Sequence, residues 1–293
     1  MLALSGVDGP DFICVGLPKA GTGWLFDQLN DHPDFWMPPV KEFLYLQKPV
    51  TRMRFVKPSG EPRGNSRGAE RRVHRQNLDA RDHAFLEFAA ACSGQERDLE
   101  RYAKFFNIKG SLLSGDISPP YCALKDDTIE AVGARFPKTR IVLLVRDPVS
   151  RAWSRIAMAE RDGLFNEALL DNPARFKRYV ENNRKIGSIR ATEVVERWRR
   201  LAPDNPFRWF LFDDIAERPD QTRRDILNYL GADPQKKGAD LAPDYNRKAD
   251  ARKLKMNAMS RSVLAEHYAD ELEEGAKFFG GAAASWPGKY ARP

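Results

Sequence analysis

Residues 12 to 29, FICVGLPKAGTGWLFDQL, set Lys19 among Gly16, Pro18, Gly21 and Gly23, between a short apolar run and a helical pattern that begins near Thr22. A strand that passes through such a loop into a helix turns several backbone N–H groups onto one point. The first helical turn adds partial positive charge and Lys19 adds a full one, so the segment is built to hold an anion. The 5′ phosphates of a nucleotide are the simplest such anion. In the Walker loop, G-x-x-x-x-G-K-[ST], lysine follows the second glycine, whereas Lys19 precedes Gly21 and Thr22. A nucleotide kinase or NTPase therefore fits less well, and a non-catalytic module for anions or nucleic acid stays open beside it. A second cation, Arg146, follows the continuous apolar run Ile141 to Val145. At the carboxyl end of a central strand an arginine faces the crevice where α/β sheets bind ligands, and its planar fork grips a phosphate with two hydrogen bonds. Ser154 lies more than one helical turn further on, within reach of the same group. Arg146 and Arg151 also read as ion-pair partners at a helix entrance.

These positions require strands that alternate with helices. The first βα unit spans Phe12 to Asn30. Helices are expected at His83 to Cys92, Glu96 to Phe106 and Thr128 to Phe136, and a strand in LLSGDISPPY. The strand at 140 to 145 leads past Asp147 and Pro148 into another helix. Asn182 to Leu201 reads as one long charged helix, Phe207 to Phe212 as a strand, and Pro219 to Leu230 as a helix stopped by Gly231. The pattern predicts a three-layer, P-loop-like α/β fold with a central parallel sheet flanked by helices.

The 293 residues show no composition break, so one domain is expected, and no apolar run approaches the length of a membrane span. The start, MLALSGVDGPDF, lacks the basic and apolar regions of a secretory leader. Cys14, Cys92 and Cys122 are few and widely spaced, as in a reducing cytoplasm, and no zinc spacing occurs. Between Lys48 and Arg81 ten Lys or Arg stand against three Asp or Glu, which accounts for the whole net charge of +7. That stretch, rich in Gly, Pro and Ser, is expected as a loop or lid over about 47–82, either a solvated face or a funnel for anionic ligands. Phe55 is the only aromatic among its charges, so nucleic acid is not the expected partner.

The order of Pro18, Lys19, Gly21 and Thr22 resembles the 5′-phosphosulfate loop of sulfotransferases that use 3′-phosphoadenosine 5′-phosphosulfate (PAPS). Arg146 and Ser154, eight residues apart, resemble the 3′-phosphate motif of the same family. Asp31-His32-Pro33 is similar to its way of ending the first helix, and FLFDDIAERPDQTRRDILNYLG to a late strand, acidic turn and helix. GDISPPY resembles a segment of the heparan sulfate branch, with Asp116, Ser118, Pro119 and Tyr121 in step; Ile117 stands where that branch has a lysine near the sulfuryl group. Gly23 stands where many members have Thr or Ser, which leaves only its backbone N–H for the 5′ phosphate.

The resemblance implies PAPS as donor, 3′-phosphoadenosine 5′-phosphate (PAP) as product and no metal. It implies an acceptor hydroxyl on a glycan, a lipid or a small metabolite. Lys19, Ala20, Gly21, Thr22, Gly23 and Trp24 would line the 5′ end of the donor, with Arg146 and Ser154 at the 3′ phosphate. Lys19, already at the 5′ phosphate, is the candidate to stabilise the leaving oxygen. Glu42, in VKEFLYL, resembles the glutamate that serves the carbohydrate-acting branch as general base; a surface pair with Lys41 is the plainer reading. Asp116 is the second candidate base, and Lys41 and Asp116 are candidate substrate contacts. Lys253 and Lys255 are basic positions that either face solvent or close over the donor.

Overall fold

The computed structural model describes residues 8–47, 53, 56–62, 72–73, 78–183, 189–236, 238, 241–245 and 254–291. Most of the basic 47–82 segment, and Lys253 with it, lies outside them. In chain order, β1 (Phe12–Cys14) leads through a loop into α1 (Thr22–Asp31), and two short strands, β2 (Val40–Lys41) and β3 (Arg72–Val73), pair antiparallel. Next come α2 (Ala80–Cys92), α3 (Leu99–Asn107), β4 (Gly115–Ile117), α4 (Asp126–Arg135) and β5 (Arg140–Val145). They are followed by α5 (Pro148–Arg161), α6 (Pro173–Asn182), α7 (Ala191–Leu201), β6 (Phe207–Leu211), α8 (Phe212–Glu217) and α9 (Pro219–Leu230). The described chain closes with α10 (Ala258–His267), α11 (Ala269–Phe279) and α12 (Trp286–Tyr290).

The main sheet has the order β4-β1-β5-β6, and every neighbouring pair is parallel. Helices flank it, as the alternating pattern predicts. Ile141 to Val145 are wholly buried, as a strand covered on both faces must be, and this explains their unbroken apolar run. Local chemistry sets the helix ends. Asp79 and Asp82 form a reciprocal capping box on α2, and Asp98 caps α3. Asp147 caps α5 by accepting from Ser150 N–H at 2.7 Å, with Pro148 in the first turn. Phe43 packs edge-on against Phe105 at 4.7 Å and near Phe85 at 5.3 Å, and so fastens the segment after β2 to α3 and α2.

Two features depart from the sequence reading. The helix expected over Asn182 to Leu201 is shorter: α6 already ends at Asn182, and α7 begins at Ala191. Asn183, which has low helix propensity, ends α6, and Arg190 is extended just before α7. The chain beyond Gly231 also forms three helices that the reading left unassigned. Leu264, Tyr268 and Leu272 repeat at a spacing of four and are buried, and Trp286 is buried beside them. Among the described residues no helix is long and apolar enough to cross a membrane.

β1 and β4 approach closely where Phe12 pairs with Gly115. A Cβ at Gly115 would overlap both the carbonyl oxygen and the ring of Phe12. Gly115→Ala is expected to destabilise the protein by about 1–3 kcal/mol through overpacking, measurable as a lower urea midpoint with an unchanged slope.

Candidate functional site

The loop after β1 first extends the sheet. Leu17 N–H donates to Leu144 O and Leu144 N–H to Gly16 O, each at 2.8 Å. The chain then turns through two left-handed residues, Lys19 at φ 70° and Gly21 at φ 96°. Gly21 is the N-cap of α1 and offers it no side-chain acceptor. A Cβ on Gly21 would stand 3.1 Å from the Phe212 ring, so glycine serves both the turn and the approach to α8. Lysine has no such freedom, and holding it there costs about 1–2 kcal/mol, the kind of strain that gathers at functional sites. The first N–H groups of α1, on Thr22, Gly23 and Trp24, have no acceptor within the helix. Beside them the space is open: nothing comes within 4 Å of where a Cβ on Gly23 would sit.

Arg146 crosses from the end of β5 to this loop. Its Nη1 donates to Lys19 O at 3.1 Å, and its guanidinium stacks 4.2 Å above the Phe212 ring. Its Nε is buried and has no acceptor among the described residues. Burial pushes the Arg146 pKa below its ordinary value, while Asp147, Tyr290 and Asp213 act in the other direction. The ion pair that the sequence offered at this helix entrance is made by Arg151, whose Nη2 lies 2.9 Å from Glu271 Oε1. Ser154 and Met158, one turn apart, share a face of α5, and Lys19 Nζ lies 3.5 Å from Met158 Sδ. The loop lysine, Arg146 and the Ser154 face thus adjoin at the carboxyl edge of the sheet.

Lys41 and Glu42 reach the same edge from β2. They pair at 3.9 Å with side chains only 11% and 20% exposed. Burial is the main reason the Cys14 thiol, at the end of β1, is pushed up to about 12, and the charges of Lys41, Asp116 and Glu42 also bear on it. Asp116, on the neighbouring strand, is 2% exposed and accepts from Ser118 Oγ at 2.6 Å, Tyr121 OH at 2.7 Å and Tyr102 OH at 3.1 Å. All three of these donors are hydroxyls inside the fold. Trp24 turns its indole N–H to Pro243 O at 2.6 Å, and Lys255 is exposed just before α10.

Several participants were not legible in the sequence. Phe212, the platform under Arg146, was read only as the last residue of a strand. Tyr290 OH donates to Asp147 Oδ1 at 2.7 Å and Lys289 Nζ lies 3.2 Å from Asp147 Oδ2, so α12 closes on the start of α5. The spacing of Leu264, Tyr268 and Leu272 was the available signal for those helices.

Residues 10–236 match the Sulfotransferase family. The chain belongs to that family. Its fold is similar to the crystal structure of a sulfotransferase from Alicyclobacillus acidocaldarius, with TM-score 0.61 and 21% identity over 94% of this chain and 98% of that one. Lower scores relate it to STF9 from Mycobacterium avium (0.46, 14% identity, 92% of this chain and 77% of that one). The sulfotransferase domain of the Synechococcus PCC 7002 olefin synthase gives 0.43 and 15% identity over 91% of this chain and 97% of that one. No curated protein matches. The family match stops short of α10, so the helices that close on Asp147 lie beyond it.

Burial raises the Asp116 carboxyl from 3.8 to about 6, against the opposing pull of the Ser118, Tyr121 and Tyr102 hydroxyls and of Lys41. The folded state therefore holds this proton more tightly than the unfolded chain does, and the group's contribution to stability falls as pH rises from about 4 to about 6. Urea unfolding of wild type and Asp116→Asn should show the variant's deficit shrinking over that window, by up to about 3 kcal/mol.

Proposed function

We propose that this sulfotransferase uses PAPS and transfers its sulfuryl group to an acceptor hydroxyl, with Glu42 as general base and without a metal. The observation that carries the reading is the convergence on one open edge of an uncapped helix N-terminus, Lys19, and an arginine whose buried Nε lacks an acceptor among the described residues. That donor set suits a ligand with phosphates at two places. The N–H groups of Gly21 to Trp24, with Ala20 in the loop behind them, would receive the 5′ phosphosulfate; Arg146 and Ser154 would receive the 3′ phosphate.

The reaction follows from those positions. The acceptor oxygen attacks sulfur in line as its O–H proton passes to the Glu42 carboxylate. The new S–O bond forms while the bond from sulfur to the 5′ phosphate oxygen breaks, and PAP departs with the negative charge. Lys19 is placed to stabilise that charge as it develops, where a fixed cation acts most strongly. Lys41, 3.9 Å from Glu42, is the cation beside it. The acceptor is a hydroxyl of a glycan, a lipid or a small metabolite. The three buried free cysteines accord with a reducing, cytoplasmic setting.

Release of PAP from PAPS, followed with a panel of simple sugars and alcohols as acceptors, tests these roles. Lys19→Ala is expected to lower turnover by about 10²–10³. Arg146→Ala should weaken PAP binding by about 10- to 100-fold through loss of a charged hydrogen bond. Glu42→Gln should lower turnover by about 10²–10⁴ and leave PAP affinity within about twofold. Turnover by Glu42→Gln close to wild type would remove Glu42 from the role of base.

A further inference from the structure

Asp116 lies one residue from the end of β4, and the three hydroxyls that converge on it come from three places: Ser118 beside it, Tyr121 in the following turn and Tyr102 on α3. Two of them have a second task. Ser118 Oγ accepts the Leu44 N–H at 3.0 Å, and Tyr121 OH accepts the Leu46 N–H at 3.1 Å. A hydroxyl has one proton. While it is committed to the Asp116 carboxylate, the oxygen lone pairs are turned toward the backbone of residues 44–46. The carboxylate thus fixes both hydroxyl rotors and, through them, that stretch of chain.

The stretch needs such holding. Leu44 sits at φ 57°, a left-handed conformation that a leucine adopts only when its surroundings enforce it. Glu42 is two residues before it, just after β2, and Phe43 between them is locked among the rings of α2 and α3. We propose that Asp116 is a positioning residue for Glu42: acting through Ser118 and Tyr121, it sets the backbone at Leu44 and Leu46 and so the aim of the Glu42 carboxylate into the cleft. This rests on the reading of Glu42 as the base. The charged and titratable groups that face Asp116 are Lys41 from β2, Tyr102 from α3, Tyr121 from the turn after β4 and Cys14 from β1. Protonating Asp116 would place a new donor among hydroxyls that already donate to it, and the aim would be lost at acid pH.

The test uses the full chain with Asp116→Asn, Ser118→Ala and Tyr121→Phe; the last two keep the core filled if the first fails to fold. Amide hydrogen exchange is read at Leu44 and Leu46, PAP binding by calorimetry, and PAP release at saturating PAPS as a function of pH. Exchange is expected to rise about tenfold at Leu44 in Ser118→Ala, at Leu46 in Tyr121→Phe, and at both in Asp116→Asn. Turnover should fall about 10- to 100-fold with PAP affinity held within about twofold. The wild type should show an acid limb near pH 6 that Asp116→Asn lacks. In a Glu42→Gln background Asp116→Asn should add no further loss. Wild-type turnover in all three variants with PAP still bound, or a full multiplicative loss on top of Glu42→Gln, overturns this inference alone. Failure of the wild type to bind PAP overturns the donor reading, and this inference with it.

Discussion

The hydrogen bond from Arg146 to the Lys19 carbonyl joins the two cationic elements of this molecule, and the rest of the site is arranged around it. Arg146 ends one strand of a parallel sheet, and Lys19 occupies the loop that leaves its neighbour. The parallel direction of β1 and β5 brings both to one edge. A buried guanidinium in a low-dielectric setting needs compensation, which Phe212 supplies from below and Asp147 and Asp213 supply by charge. None of these hydrogen-bonds the buried Nε, which has no acceptor among the described residues.

The proposed base would give the site a second, carboxylate half. Glu42 is presented by a short strand, an aromatic cluster and backbone N–H groups tied to Ser118 and Tyr121. The halves differ in how they are held. The cationic one is fixed by regular elements, a strand end and a helix start, whose geometry follows from the backbone. The carboxylate one is irregular chain, and a buried polar network takes the place of secondary structure in holding it. Such a network is valuable only when every member is satisfied, and Asp116, with three donors, is its common acceptor. The C-terminal helices add a third restraint by closing on Asp147, the residue that caps α5 beneath Arg146.

What the sequence made legible follows from the range over which each signal acts. The passage from β1 through a loop into α1 was readable because the glycines and the helix start within eight residues carry their meaning locally. β5 was readable because burial on both faces leaves an unbroken apolar run ending in Arg146. The end of α6 and the start of α7 were missed because apolar spacing past Ala191 masked the weak helix propensity of Asn183. Tyr290 on Asp147 spans 143 residues and Phe212 under Arg146 spans 66, contacts that no local pattern announces. The setting of Asp116 was not legible for the same reason: its burial is a tertiary fact, and only the converging hydroxyls disclose it.

The most direct test of the account is calorimetric titration of the wild-type protein, in the absence of metal, with PAP, adenosine 5′-phosphate and ATP. A site with separate cationic positions for the 5′ and 3′ ends predicts that PAP binds at least tenfold more tightly than either nucleotide lacking the 3′ phosphate. Equal binding of ATP, or no binding of PAP, would contradict it.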